Sequence, residues 1–315
     1  MKKGVLLAGE PMGLFIAQEE GPLDAVSGYT MAVAGAEFNV AVGLARLEHP
    51  VTYLTRLGND PFGKRIVRVL GENGIGSEFV RYSDDRSTGF MLKSKVRTGD
   101  PEIFYFRRGS AASALSAEDV DGVDFSGYGW LHLTGILPAL SQTARAATFR
   151  LAERAREAGL TISFDPNLRP QLWPGREEMA ETINRLAALA DYVMPGEGEG
   201  EILCGSRDAE AIGRFYLARG AKAVVTKVGS RGAMISTAEG NRLVEGFRVE
   251  KVVDTVGAGD GFAAGLISGL MEELPLEEAV RRGNAVGAIQ VTCIGDNDGL
   301  PTRPELAAFM GRDTL

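Results

Sequence analysis

The sequence Asp254-Thr255-Val256-Gly257-Ala258-Gly259-Asp260-Gly261 places a glycine-rich turn directly before residues whose apolar side chains recur at helical spacing as far as Leu270. Because Gly257 and Gly259 have no Cβ, their backbone N–H groups can approach an anion closely, and a helix N-terminus adds partial positive charge. Asp260 lies in the first helical turn, where its carboxylate can accept a proton from an attacking hydroxyl. The stretch therefore predicts a site for phosphoryl transfer, with a tight turn of purely structural role as the alternative.

The chain around this turn alternates short β-branched runs with longer helical ones. The strand-like runs are residues 51–55, 130–134, 161–164, 192–194 and 223–226, and helical stretches at 62–72 and 141–158 follow the first two. Strands that alternate with helices are typical of βαβ units. The sequence therefore predicts one α/β domain over residues 1–315 with a mostly parallel sheet.

Residues 11–34 and 88–108 break this alternation, because they are strand-like, rich in turn residues and without a convincing helix. Side chains such as Phe90 and Leu92 recur at the two-residue period of a strand. We expect these stretches to form a small separate sheet that covers the substrate pocket as a lid. Since an uncovered sheet exposes an edge and an apolar face, we also expect the lids of two subunits to pair in a homo-oligomer.

Composition excludes several classes of protein. The chain has 34 basic and 42 acidic residues, a net charge of -8, and no extended run of Lys and Arg, so nucleic acid is not an expected partner. No apolar run reaches membrane-spanning length, and residues 5–8 are far shorter than the core of a signal peptide. Two cysteines and two histidines do not support a disulfide framework, a zinc site or a histidine-based hydrolase. We expect a cytoplasmic protein without a membrane partner.

The 254–261 stretch resembles the C-terminal signature of the PfkB (ribokinase-like) family of carbohydrate kinases. This resemblance implies a three-layer α/β/α domain with a small β-sheet lid. It also implies that the amides of Gly257, Ala258 and Gly259 form an anion hole and that Asp260 is the catalytic base, which also contacts the substrate.

The resemblance extends to both ends of the chain. Gly35-Ala36-Glu37-Phe38-Asn39-Val40-Ala41 and the residues up to Leu47 are similar to the family's N-terminal signature. The resemblance implies that Gly35 and Asn39 contact sugar hydroxyls. By itself, Asn39 would be interpreted as a polar residue on the solvent side of an amphipathic helix.

Further similar segments imply how the phosphates are held. Residues 196–199 lie where the family carries Asn-x-x-Glu, which assigns Glu199 to a water-bound Mg²⁺, although Gly196 replaces the Asn. Residues 226–232 resemble the strand-to-turn segment beside the nucleotide. The residues assigned to nucleotide binding are Lys227, Gly229, Gly232, Gly257, Gly259 and Asn284, the last beside the adenine. ATP and Mg²⁺ are therefore the expected cofactors, and a monovalent cation such as K⁺ stays open.

Residues 58–64 offer a competing nucleotide site, because their spacing matches a P-loop between a strand and a helix. Arg65 stands where that motif needs Ser or Thr for Mg²⁺. Lys64 is therefore interpreted as a solvated helix residue.

Substrate specificity is suggested by residues 104–113 and 131–141, which resemble the 2-keto-3-deoxygluconate kinases of the family. This resemblance implies that Tyr105, Arg107 and Arg169 line a sugar-acid pocket, where arginine can donate two parallel hydrogen bonds to a carboxylate. The predicted reaction is ATP-dependent phosphorylation of 2-keto-3-deoxygluconate at its terminal hydroxyl, giving the 6-phosphate.

Two alternatives to this reaction stay open. Residues 165–169 are also similar to fructokinases, and Met91 stands where some 2-keto-3-deoxygluconate kinases carry a tyrosine, so a fructokinase or another sugar kinase of the family is one alternative. A non-catalytic sugar- or nucleotide-binding regulator is the other, although Asp260 argues against it.

Overall fold

The computed structural model describes residues 3–96, 101–293 and 295–311. Its strands are β1 (Gly4–Ala8), β2 (Met12–Glu20), β3 (Tyr29–Ala34), β4 (Val51–Gly58), β5 (Gly76–Ser83), β6 (Phe90–Lys95), β7 (Ile103–Phe106), β8 (Tyr128–Thr134), β9 (Thr161–Asp165), β10 (Tyr192–Val193), β11 (Ala223–Lys227), β12 (Gly232–Thr237) and β13 (Gly240–Glu245). Its helices are α1 (Ala36–Arg46), α2 (Pro61–Glu72), α3 (Ala117–Asp121), α4 (Gln142–Glu157), α5 (Arg176–Ala187), α6 (Glu197–Cys204), α7 (Ala209–Leu217), α8 (Ala258–Met271), α9 (Leu276–Gln290) and α10 (Arg303–Gly311). Every helix in these ranges is too short or too polar to cross a membrane.

The larger sheet has the strand order β13-β12-β11-β10-β9-β8-β1-β4-β5 over the described residues. Neighbouring strands in this order are parallel from β11 through β10, β9, β8, β1 and β4 to β5. At the other edge, β12 pairs antiparallel with β11 and forms an antiparallel hairpin with β13. The sequence pattern did not predict this hairpin, because β13 is mostly exposed and polar and lacks a regular apolar alternation. The mostly parallel sheet is confirmed.

Helices cover both faces of the larger sheet. Along β1, Leu6 and Ala8 pack into a core with residues of α4, α5 and α7. Val5 and Leu7 point to the opposite face and pack with residues of α1, α8 and α9. Because successive side chains of a strand point to opposite faces, a strand that is apolar throughout requires two cores. The result is the expected three-layer α/β/α arrangement.

The smaller sheet has the order β3-β2-β6-β7, so its strands lie within the two stretches that break the βα alternation. Residues 97–100 of the second stretch lie outside the described residues. Side chains alternate between its faces: Met91 is buried on the inner face, whereas Phe104 and Phe106 are 54% and 45% exposed on the outer face. The division of residues 1–315 into one domain with this inserted lid stays a prediction.

The P-loop-like stretch at residues 58–64 forms a capped helix start. Asp60 Oδ1 accepts from the backbone N–H of Gly63 at 2.8 Å, and Asp60 Oδ2 accepts from that of Thr88 at 2.7 Å. A Cβ at Gly63 would lie 2.2 Å from the carbonyl oxygen of Gly58. Lys64 is exposed on α2, so these residues serve the local backbone.

Candidate active site

The glycine-rich turn is built as the start of α8. Gly257 adopts a left-handed conformation with φ 80° immediately before the helix. A Cβ at this residue would lie 2.2 Å from the carbonyl oxygen of Asp296, so both the conformation and the close approach require glycine. The amides of Gly257, Ala258 and Gly259 therefore lie at a helix N-terminus, where an anion is favoured.

Asp260 follows in the first turn of α8 and contacts two asparagine side chains. Asn39 Nδ2 donates to Asp260 Oδ2 at 2.8 Å, and Asn167 Nδ2 lies 3.4 Å from Asp260 Oδ1. Burial raises the pKa of Asp260 to about 8, although the hydrogen bond from Asn39 opposes this shift. A carboxylate with this pKa can exchange a proton with a hydroxyl group near neutral pH.

Lys227 lies at the end of β11, beside the end of β9. Its Nζ donates to Asp165 Oδ2 at 2.5 Å. Burial alone would lower the pKa of Lys227, but the carboxylates of Asp165, Glu199 and Asp260 hold it above its ordinary value. The lysine is therefore a cation at neutral pH, and a Cβ built on Gly259 would be 3.7 Å from its Nζ.

Glu199 caps the start of α6 with its carboxylate. Its oxygens accept from the backbone N–H groups of Gly196 at 2.7 Å and Leu168 at 2.9 Å. Burial raises the pKa of Glu199, while Lys227 opposes the shift. Glu199 lines the same cavity as Asp260, and Gly196, which replaces the Asn expected from the family signature, forms a bridge with Lys227.

A polar cavity of about 360 Å³ lies beneath the smaller sheet. The predicted residues that line it are Gly35, Asn39, Tyr105, Arg107, Arg169, Glu199, Lys227, Gly257, Gly259 and Asp260. Gly35 has φ 138°, and a Cβ there would lie 2.6 Å from the carbonyl oxygen of Glu10. The strand–helix junction at Gly35 therefore passes close to the backbone between β1 and β2 without a side chain.

The two predicted pocket arginines differ in their partners. Arg107 is buried, its Nε donates to Glu10 Oε2 at 2.7 Å, and Ser110 Oγ donates to the other oxygen of the same carboxylate. Arg169 instead donates from Nη1 to the backbone carbonyl of Leu168 at 2.9 Å. Arg107 thus lines the cavity with a carboxylate partner already in place, while Arg169 within the described part of the chain donates to a backbone carbonyl and has its charge available to a ligand.

A second cavity of about 680 Å³ opens on the other side of the turn. Gly229, Gly232 and Asn284 line it, as do apolar residues that include Phe247, Val252, Phe262, Ala288 and Val291. The Asn284 side-chain amide donates to the carbonyl oxygens of Val244 and Glu245 at 3.1 and 3.0 Å, so it also fastens α9 to β13. We call this second cavity the groove.

The polar cavity and the groove meet at the glycine-rich turn. Lys227, Thr255 and Gly259 line both. A hydroxyl in the polar cavity can therefore face Asp260 while a phosphate chain enters from the groove and meets the turn's amides. This is an arrangement for in-line transfer of an anionic group between two ligands.

Several residues at the site were not predicted from sequence. Asp165 is the last residue of β9 and Asn167 lies two residues beyond it, both in the turn signal at residues 165–167, and Glu10 lies two residues after β1. All three stand where parallel strands end at their carboxyl edge, which is the edge where α/β proteins bind ligands. A polar residue at the end of a buried strand, or within two residues after it, is the signal that could have identified them.

The fold and this site, with a groove and a polar cavity that meet at a glycine-rich helix start, are typical of phosphotransferases, and comparison with known proteins gives the family. Residues 2–303 match the pfkB family of carbohydrate kinases, and the chain belongs to that family. It is therefore a carbohydrate kinase with the ribokinase-like fold.

Three relatives illustrate the similarity. The chain is 48% identical to a 2-dehydro-3-deoxygluconokinase of Bacillus subtilis (strain 168) over 98% of this chain and 96% of the relative. It is 31% identical to a fructokinase of Vibrio alginolyticus over 88% of this chain and 91% of the relative. A crystal structure of aminoimidazole riboside kinase from Salmonella enterica, complexed with aminoimidazole riboside and an ATP analog, superposes with a TM-score of 0.86 at 29% identity, covering 98% of this chain and 99% of the other.

Proposed function

We propose that this kinase transfers the terminal phosphoryl group of ATP to the terminal hydroxyl of 2-keto-3-deoxygluconate, also called 2-dehydro-3-deoxygluconate, giving the 6-phosphate. The observation that carries the proposal is the position of Asp260, which lies between the polar cavity and the turn's amides with Asn39 2.8 Å from its carboxylate. The higher identity to the Bacillus 2-dehydro-3-deoxygluconokinase than to the Vibrio fructokinase supports this substrate over fructose.

The roles follow from the geometry. Asp260 accepts the proton of the terminal hydroxyl as that oxygen attacks phosphorus, and the asparagines hold its carboxylate in place. The amides of Gly257 to Gly259 and the ammonium of Lys227 stabilise negative charge on the transferred group. Since phosphoryl transfer has a loose transition state, positioning and electrostatics supply most of the catalysis.

Glu199 is the residue we assign to Mg²⁺. Among the described residues, no group of three His, Cys, Asp or Glu side chains could hold a metal ion by itself. A single carboxylate such as that of Glu199 fits Mg²⁺, because this ion commonly keeps several waters and binds through one or two carboxylates and the phosphates of a substrate. When bound, Mg²⁺ would neutralise phosphate charge, with Glu199 orienting its water ligands.

The acid group of the substrate is the reason to expect Arg169 in recognition. Because Arg107 already pairs with Glu10 in a buried site, we assign direct carboxylate binding to Arg169 and a shaping role to Arg107 beside Tyr105, whose ring lies 5.5 Å from the guanidinium carbon. Gly35 and Asn39 would face sugar hydroxyls. The nucleotide would lie in the groove along Gly229, Gly232 and Asn284.

A coupled assay of ATP consumption tests the proposal with 2-keto-3-deoxygluconate, its galactonate epimer, fructose and ribose. We expect the highest kcat/KM with one of the two sugar acids. A clear preference for fructose would overturn the sugar-acid assignment and leave the family unchanged. Turnover with none of the four would favour a binding protein.

We also propose that the protein is cytoplasmic and that two copies pair through their lids. Phe106 stacks on Phe90 with ring centroids 4.6 Å apart, and Phe104 contacts Phe106 on the same exposed face. Exposed aromatic clusters of this kind favour association. Light scattering should give a dimer mass for the wild type and a monomer mass for Phe104→Ser/Phe106→Ser; a monomeric wild type would contradict the pairing.

A further inference from the structure

A lysine from the smaller sheet lies buried beneath the glycine-rich turn. Lys93 in β6 is 2% exposed. Its Nζ donates to Asp254 Oδ2 at 2.7 Å and to Asp296 Oδ1 at 2.9 Å. Asp254 is the first residue of the 254–261 stretch, and Asp296 lies between α9 and α10. Lys93 therefore connects the lid to the two segments that shape the turn.

Both aspartates contact the backbone of that turn. Asp254 Oδ1 accepts from the backbone N–H of Val256 at 3.0 Å. The carbonyl oxygen of Asp296 packs against Gly257 so closely that a Cβ would lie 2.2 Å from it. A shift of either aspartate would therefore move Gly257, the first residue of the proposed anion hole.

The two buried carboxylates of Asp254 and Asp296 need a positive charge beside them. Asp254 and Asp296 are 9% and 5% exposed, and two carboxylates buried side by side would repel each other and the anion that the turn receives. Burial alone would lower the pKa of Lys93, but its two aspartate partners hold it above its ordinary value. The lysine is therefore charged at neutral pH and offsets part of the negative charge.

A mobile monovalent cation could supply the same charge to oxygen ligands. Here, however, one oxygen of each aspartate already contacts the Lys93 ammonium, so the pair does not fit an additional ion between its carboxylates. We propose that Lys93 is a positioning residue that supplies, from the lid, the fixed positive charge that holds the glycine-rich turn in place, so that catalysis needs no added monovalent cation. This inference rests on the proposed ATP-dependent sugar kinase activity.

Kinetics of Lys93→Ala in different salts test the inference. In tetramethylammonium salts, which are too large for the vacated space, we expect kcat to fall about tenfold or more while the KM for the sugar changes less, because charge stabilisation acts on the transferred group. K⁺ or NH₄⁺ at matched ionic strength should restore much of the loss. Wild-type kcat should be the same in all these salts.

Lys95→Ala is the matched control, because Lys95 lies two residues further along β6, is exposed and donates to the carbonyl oxygen of Gln18. It should behave as the wild type. If Lys93→Ala does not fold, Lys93→Gln replaces it, since its amide fills most of the space without a charge. A wild type that requires K⁺, an unchanged kcat in the variant, or a loss that no cation restores would each overturn the inference.

Thermal unfolding without sugar or ATP separates this inference from the proposed function. The Tm of Lys93→Ala should be higher in K⁺ than in tetramethylammonium, while the wild type and Lys95→Ala show no such difference. If this pattern holds but the wild type phosphorylates no sugar, the function proposal fails and the charge replacement stands. If sugar phosphorylation is found but the cation-dependent Tm difference is absent, the charge replacement fails and the function stands.

Discussion

The polar cavity beneath the smaller sheet and the groove on the other side of the glycine-rich turn share a boundary but differ in chemistry. The polar cavity holds charged groups such as Asp260, Lys227 and Arg169, whereas apolar side chains such as Phe247 and Val252 dominate the groove. Charges fixed in a partly buried site act on reacting atoms, while apolar surface contributes to binding without selecting the transition state. Changes to Asp260, the charged group in the glycine-rich turn, should therefore alter kcat, and changes in the groove should alter nucleotide affinity.

The largest expected effect comes from Asp260→Asn, which removes the proton acceptor and keeps the size of the side chain. We expect kcat to fall by about 10²-fold or more, the usual scale for loss of a general base. The KM for ATP should change little, because the groove is untouched. Steady-state kinetics measure both constants, and near-normal turnover would remove Asp260 from its role.

The stability of the same variant gives an independent control. The folded-state pKa of Asp260, about 8, lies above the ordinary value of 3.8, so the folded protein favours the protonated carboxyl. Its contribution to stability is present below about pH 4 and is lost as the pH rises towards 8. Asn mimics the protonated form, so at pH 8 the free energy of unfolding of the variant should exceed that of the wild type by roughly 1–3 kcal/mol, and its Tm should be higher. A lower Tm would indicate misfolding.

The pH dependence of the wild type is the next largest effect. Because the base must be deprotonated, kcat/KM should fall about tenfold for each pH unit below a pKa near 8 and level off above it. The residual activity of Asp260→Asn should lack this dependence. A wild-type profile that is flat between pH 6 and 8 would show that Asp260 does not titrate as the structure indicates.

Arg169→Ala tests how the polar cavity selects its substrate. Loss of a charged partner in a desolvated pocket costs roughly 2–5 kcal/mol, so the KM for 2-keto-3-deoxygluconate should rise by more than about tenfold, while weak activity on fructose changes less. Equal losses on both substrates would mean that Arg169 only holds the loop after Pro166. Arg107→Ala offers a contrast: it leaves the buried carboxylate of Glu10 without its cation, so a loss of Tm should accompany any loss of activity.

The sequence predicted features that lie in one continuous stretch, but it did not predict pairs of side chains that are far apart in the chain. The alternation of strands and helices indicated the parallel sheet, and Gly257 and Asp260 were identifiable because their chemistry lies in one continuous stretch. Pairings across the fold could not be predicted, because Glu10 and Arg107 are 97 residues apart and Lys93 and Asp296 are 203 apart. A single sequence shows which side chains carry charge, but tertiary structure decides which charges neutralise each other. The β12–β13 hairpin was missed because its edge strand β13 is mostly exposed and polar and has no alternating apolar face.

A smaller effect is expected from Glu199→Gln, which removes a negative charge from the polar cavity. The Mg²⁺ concentration needed for half-maximal activity should rise about threefold to tenfold, because the carboxylate would no longer orient the ion's water ligands. The amide cannot accept from both Gly196 and Leu168 at once, so some loss of stability is also expected. Glu201→Gln, an exposed change on the same helix, should leave the Mg²⁺ dependence unchanged. An unaltered Mg²⁺ requirement in Glu199→Gln would assign the ion to another acid.

The smallest effect should come from the groove, where Val252→Ser replaces an apolar lining residue that is 56% exposed. An adenine covering this side chain would bury apolar area worth about 1 kcal/mol, so the KM for ATP should rise roughly threefold to fivefold. The kcat and the KM for the sugar should stay constant, because no charge near the turn changes. Val253→Ser is the matched control, since Val253 is 39% exposed but does not line the groove. If Val252→Ser lowered kcat and left the KM for ATP unaltered, the groove would not be the nucleotide side, and the division of labour between the two cavities would be wrong.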